Sequence, residues 1–159
     1  MDVRAVALIL FSAVCHAGWN YLSQHFKRPL VGMWLMVALA LVLAWLITFF
    51  TMAILGSLAF FLESSSSLWF MWQGLFFALS GYLFPLAFLE RHAPRLFHAL
   101  HFLPFYYQSG FPLELMLGQH GRAAALQHLA VEACWVVGLG LLLAVVWRAG
   151  IKRWNAFGA

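Results

Sequence analysis

The chain has 159 residues, 65% of them hydrophobic and only 9% charged, with a mean hydropathy of +0.89. A soluble domain carries about 25% charged residues, so water is excluded as the solvent for most of this surface, and a soluble enzyme is excluded with it. The formal net charge of +4 comes from nine Lys and Arg against five acids; they sit at the ends of apolar runs, which suits lipid headgroups and topology rather than nucleic acid.

In chain order, the first element is an apolar run over residues 5–23, preceded by Arg4 and interrupted by His16, Asn20 and small residues. It has the flanks of a signal peptide, but His16, Ala17, Gly18, Trp19 and Asn20 run on where a cleavage site and a polar start belong, so a retained span is expected. Residues 23–29, with Lys27, Arg28 and Pro29, make a basic turn. Residues 30–62 then contain no charge and no proline, and as one helix they would rise roughly 50 Å. A hydrocarbon core is about 30 Å thick, so this is one long tilted helix or two short spans meeting near Ile47 to Thr51. The absence of a turn signal between Trp45 and Ala53 favours one helix. Glu63 and Ser64 to Ser67 form the next turn, and residues 68–89 and 133–147 supply two further apolar stretches. The expectation is an all-α, polytopic helical membrane protein with about four transmembrane helices.

Residues 90–128 are neither a span nor an ordinary loop. Over 94–103, Leu96, Leu100 and Leu103 recur at helical spacing while Arg95, His98 and His101 share another face, which predicts a short interfacial helix. An aromatic cluster follows, Phe105, Tyr106 and Tyr107, read as a turn. Residues 112–117 form a second short helix, with Pro112 in its first turn, Glu114 where the helix dipole favours an acid, and Gly118 as its stop. Helices this short cannot cross, so the pair is expected to be re-entrant or interfacial, with exposed backbone satisfied by other protein or a water-filled cavity.

From about residue 41 to the C-terminus the chain resembles the second half of type 2 ABC-transporter permeases, the membrane subunits of bacterial ABC exporters. The matching pieces are Leu55-Gly56-Ser57-Leu58-Ala59-Phe60-Phe61, then Leu79-Ser80-Gly81-Tyr82-Leu83-Phe84-Pro85-Leu86, then Leu103-Pro104-Phe105. Phe111-Pro112-Leu113-Glu114-Leu115-Met116-Leu117-Gly118, Trp135 and the tail Trp147-Arg148-Ala149-Gly150-Ile151-Lys152-Arg153-Trp154 complete the order. The resemblance implies transport-associated roles for Ser80, Gly81, Pro85, Pro104, Phe105, Pro112, Glu114 and Gly118. It also implies paired outer re-entrant helices, a location in the bacterial inner membrane, a separate ATP-binding subunit, and a homodimer or second permease chain. Phe61 stands where the family often has tryptophan. Family permeases have six spans and are longer, so the chain is expected to be a single membrane domain that corresponds to part of one. Residues 1–28, with Cys15-His16-Ala17-Gly18-Trp19-Asn20, resemble the first helix of drug/metabolite transporters and suggest a different origin for that helix. Two other functions stay open on these residues, a small secondary transporter of that class and a non-transporting accessory subunit.

No glycine-rich phosphate loop with lysine occurs, so ATP energy has to come through another chain, and no cofactor is expected. Cys15 and Cys134 form no framework. His92, His98, His101, His120 and His128 lack ligand spacing and are read as interfacial rather than metal-binding. Glu90 and Glu132 are read as boundary anchors and Glu114 as evenly balanced between anchoring and transport. Asn20 and Gln73 are read as interhelical hydrogen-bonding groups, and Gly74 with Ala78 or Gly81, like Gly138 with Gly140, as close-packing positions.

Overall fold

The structure, a computed structural model, describes residue 13, residues 29–84 and residues 86–153. The chain divides into two units, residues 1–35 and residues 36–159. Within the first, the described part is residue 13 and the opening turns of a long helix; the second holds every other element. Every described element is helical, with no strand among the described residues. The expected span over residues 5–23 and the interhelical role of Asn20 lie outside them.

Helix α1, Pro29–Ser57, is one uninterrupted helix prolonged by a 3-10 turn, Leu58–Phe60. Pro29 suits its first turn, and the Leu, Met and Ala that follow are strong helix formers. Ser57 Oγ donates to Ala53 O at 2.6 Å, and the amides of Phe61 and Leu62 both converge on Leu58 O; the polar turn that follows ends the run. Val37, Ala40, Ala44, Ile47 and Thr51 form one buried stripe at helical spacing, while Trp45 on the opposite face is 62% exposed. An exposed face this apolar calls for lipid rather than water.

The last helix, α7, spans Arg122–Ile151 and buries Ala125, Leu129 and Glu132. Gly140 lies against the Phe50 ring and Gly150 against Phe60, whose ring also meets Trp147 edge-on at 5.6 Å. The register rises together on both helices, so α1 and α7 run parallel. Among the described residues, Val31–Phe60 and Arg122–Ile151 are the two helices long and apolar enough to cross a membrane; each rises about 45 Å. Gly74 and Gly138 would meet nothing if they carried a Cβ, so of the proposed packing glycines it is Gly140 and Gly81 that bring neighbours close.

Parallel spans require the chain between them to return, and it returns in pieces. Helix α2, Ser66–Leu79, has 14 residues and rises only about 21 Å. It stops at Ser80 and Gly81, where φ is +84°, a left-handed conformation that costs glycine little and other residues more. The chain resumes in α3, Ala87–His92. The apolar run 68–89 is thus a short helix and a bend, not one continuous span.

Three further short helices follow: α4, Pro94–Leu100, α5, Pro104–Gln108, and α6, Gly110–Met116. The aromatic segment expected to be a turn is itself the helix α5, a correction with a clear cause. Pro104 follows Leu103 in extended conformation (φ −88°, ψ 149°), and proline after an extended residue starts a helix rather than bending one. The turn proper is reduced to Ser109, between α5 and α6. Gln108 Nε2 donates to Thr48 Oγ1 at 3.3 Å, and Thr48 lies about 25 Å along α1 from Val31 and about 18 Å from Phe60. The α5–α6 hairpin therefore reaches the middle of α1. Leu86, Leu100, Tyr106, Tyr107, Phe111 and Leu115 form the core around it, with Ile47 from α1 and Leu129 from α7.

Candidate functional site

The site is built where two helix breaks meet. Ser80 closes α2 by donating its amide to Phe76 O at 3.0 Å, and its hydroxyl accepts the Tyr82 amide at 3.2 Å. The carbonyl left over, Ser80 O, accepts Ser109 Oγ–H at 3.2 Å. Ser80 is fully buried. A Cβ on Gly110 would stand 2.8 Å from that same carbonyl and 2.8 Å from the Tyr106 ring, and one on Gly81 would stand 3.8 Å from Gly110 Cα. Glycine is therefore required on the hairpin side for closeness and on the α2 side for its positive φ. Pro104 and Phe105 are buried at the head of α5, and the Phe105 ring packs on Trp72 of α2 at 4.4 Å between centroids.

On α6, Pro112 is buried and Glu114 faces back toward α5. Tyr106 Oη–H donates to Glu114 Oε2 at 2.6 Å, and His120 Nε2 lies 3.0 Å from the same oxygen and 3.4 Å from the phenol. Tyr106 is fully buried, and its hydroxyl is committed to this carboxylate. Gly118, at φ +69°, terminates α6: its amide bonds Leu115 O at 3.1 Å and the Gln119 amide bonds Glu114 O at 3.0 Å, a paired closure that needs a left-handed residue at that position.

Of the residues implied by resemblance, the structure brings together Ser80, Gly81, Pro104, Phe105, Pro112 and Glu114 around one hairpin, with Gly118 as its end. Pro85 lies outside the described residues.

Sequence reasoning missed the groups that surround them. Tyr106 sits with its ring 4.2 Å from His101, whose Nδ1 bonds Phe97 O at 2.7 Å. Tyr107 Oη and His128 Nδ1 share a hydrogen bond at 3.2 Å, and the His120 and His128 rings stand 5.0 Å apart. Three of the five histidines of residues 90–128 thus converge on Tyr106 and Phe111, whereas His92 and His98 are exposed. Among the described residues no group of three or more His, Cys, Asp or Glu is arranged to hold a metal ion. Glu90 is exposed, as an anchor would be, but Glu132 is fully buried with neither carboxylate oxygen hydrogen-bonded. The anchoring role expected for Glu132 is overturned: it faces inward from the same stripe as Ala125 and Leu129, so its side chain cannot reach a headgroup. The signal that could have found it was that seven-residue stripe of buried positions, into which the acid falls.

The described residues pair two helices apolar and long enough to cross a membrane with a broken hairpin between them, and the sequence matches the family described as "ABC-2 family transporter protein" over residues 6–158. The chain belongs to the ABC-2 transporter family. Neither a curated protein nor a solved structure matches it. Membership makes the chain a permease component of an ABC transporter, associated with a membrane and, in general, with an ATP-binding partner, and it places the chain outside the enzyme families. The resemblance to type 2 ABC permeases is borne out and reaches further than its motifs did: the ABC-2 match begins at residue 6, not near residue 41, and so runs through the segment that resembles drug/metabolite transporters.

Proposed function

We propose that this ABC-2 chain is the permease of an exporter in the bacterial inner membrane, moving its substrate outward when a separate ATPase subunit closes on ATP. It works as a homodimer or beside a second permease chain. Its own part is conformational, opening and closing a pathway between helices. The observation that carries this reading is the pairing of the two helix breaks, Ser80 and Gly81 against Ser109 and Gly110. Irregular backbone at membrane depth is stable only where protein buries it or a cavity waters it, and such breaks are where helices can hinge. Ser80, Gly81, Pro85, Pro104, Phe105, Pro112, Glu114 and Gly118 are the proposed transport-associated residues.

Arg148, Lys152 and Arg153 at the end of α7 favour an inside C-terminus, and parallel spans then put residues 90–121 outside. Arg91, Arg95 and Arg122 oppose that orientation, and the order of family motifs favours it. Single cysteines replacing Arg95, Ser109 and Gln119, in a background without Cys15 and Cys134, test it with an impermeant thiol reagent on intact cells. Labelling at 95 and 119, slower at 109, is expected; protection of all three until the cells are opened contradicts the topology.

A further inference from the structure

We propose that Glu132 is a proton-binding site within the permease, loaded from the Glu114 and His120 end of the hairpin by way of His128. Glu132 stands on the third turn of α7, fully buried, with both carboxylate oxygens lacking a hydrogen-bond partner. An ionised carboxylate in such a place is expensive unless paired, and an ionisable group inside a spanning helix is a functional site by default. Among the described residues, no cation is hydrogen-bonded to either oxygen. Helix α1 contains no charged residue at all. Helix α5 offers the phenols of Tyr106 and Tyr107, which bring no positive charge. Helix α6 offers Glu114, a second acid. The end of α4 offers His101, 6.0 Å from His128 between ring centroids. On α7 itself His128 lies one turn before Glu132, and Arg122 lies more than two turns away at the helix start.

Complete burial then selects the occupant. The open groove between α1 and α7, about 520 Å³, is lined by Ala53, Gly140 and Trp147 among others. It lies toward the far end of α7 and does not include Glu132. The smallest species that neutralises a carboxylate is a proton.

The groups that would relay it stand between the hairpin's partly exposed end and α7, as neighbours rather than as a hydrogen-bonded chain. His120 and Glu114 keep 15% and 20% of their side chains exposed. His120 stands 5.0 Å from His128 between ring centroids, and His128 is hydrogen-bonded to Tyr107. Imidazole takes and releases protons near neutral pH, and chains of His and acidic groups carry protons through membranes. In balance, hydronium at the exposed end gives its proton to a His120 nitrogen and leaves as water. The imidazolium passes a proton to His128 and returns to neutral. His128, one turn before Glu132 on the same helix and not hydrogen-bonded to it at rest, turns toward it to deliver a proton to a Glu132 oxygen, which forms an O–H bond and loses its negative charge. The site belongs to this chain alone, so its test does not depend on an ATPase partner or on the direction of transport.

The full chain, purified into lipid nanodiscs, is to be examined by infrared spectroscopy. At neutral pH a carbonyl band of a protonated carboxylic acid is expected. It should shift on transfer to heavy water, vanish in Glu132→Gln and persist in Glu114→Gln. Where Glu132→Gln fails to fold, Glu132→Asp carries the assignment by moving the band without abolishing it. His128→Phe should keep the band but slow its deuterium exchange at least tenfold. A wild-type spectrum without the band, or a band untouched by either change at 132, overturns the site; exchange in His128→Phe as fast as wild type overturns the route.

Discussion

The two ends of α6 use glycine for different reasons, and the difference is measurable. Gly118 has a positive φ and open space where a Cβ would go, so Gly118→Ala should cost only the backbone term, about 1–2 kcal/mol. Gly110 is held by closeness, with the Ser80 carbonyl and the Tyr106 ring both where a Cβ would stand, and overpacking of this kind costs about 1–3 kcal/mol or more. Thermal melting in detergent should rank Gly110→Ala below Gly118→Ala, and the two breaks should part only in the former; the reverse order would show that the meeting of the breaks is loose. Glu114→Ala leaves the buried Tyr106 hydroxyl and His120 without their shared acceptor, a loss of about 1–3 kcal/mol, whereas Glu114→Gln should retain most of it.

Among the elements, those that carry the site are also the best buried. Helix α5 buries Pro104, Phe105, Tyr106 and Tyr107, and α6 buries Gly110, Phe111, Pro112 and Leu115, whereas α4 buries Leu100 alone. Local opening free energy follows buried apolar contact, so amide exchange over residues 94–100 should be faster than over 105–116, and equal rates would contradict the hairpin's packing. The long helices were legible because residues 30–62 and 133–147 contain no charge and no turn signal, and composition alone decides such segments. Pro112, Glu114 and Gly118 were legible by helix-end rules. Residues 104–108 were not, because Pro104 reads equally as a breaker and as a first helical residue until the extended Leu103 before it is known. Nor was the run 68–89 read as broken, since Ser80 and Gly81 also occur inside continuous membrane helices as packing residues. The histidine cluster was invisible for another reason: His101, His120 and His128 come from three separate places in the chain, and only the hairpin's fold onto α7 assembles them.

For the whole molecule, the outcome is an ABC-2 permease component whose apolar faces answer to lipid and whose chemistry contains no route to ATP. The central claim is that the chain acts with a separate ATPase. The most direct measurement purifies the tagged chain from its own membranes in mild detergent and compares ATP hydrolysis by that preparation with hydrolysis by the chain expressed and purified alone. The account predicts an ATP-binding subunit co-eluting in stoichiometric amount, with hydrolysis present in the complex and absent from the isolated chain; a chain that elutes from its own membranes without any ATPase, or one that hydrolyses ATP by itself, would contradict it.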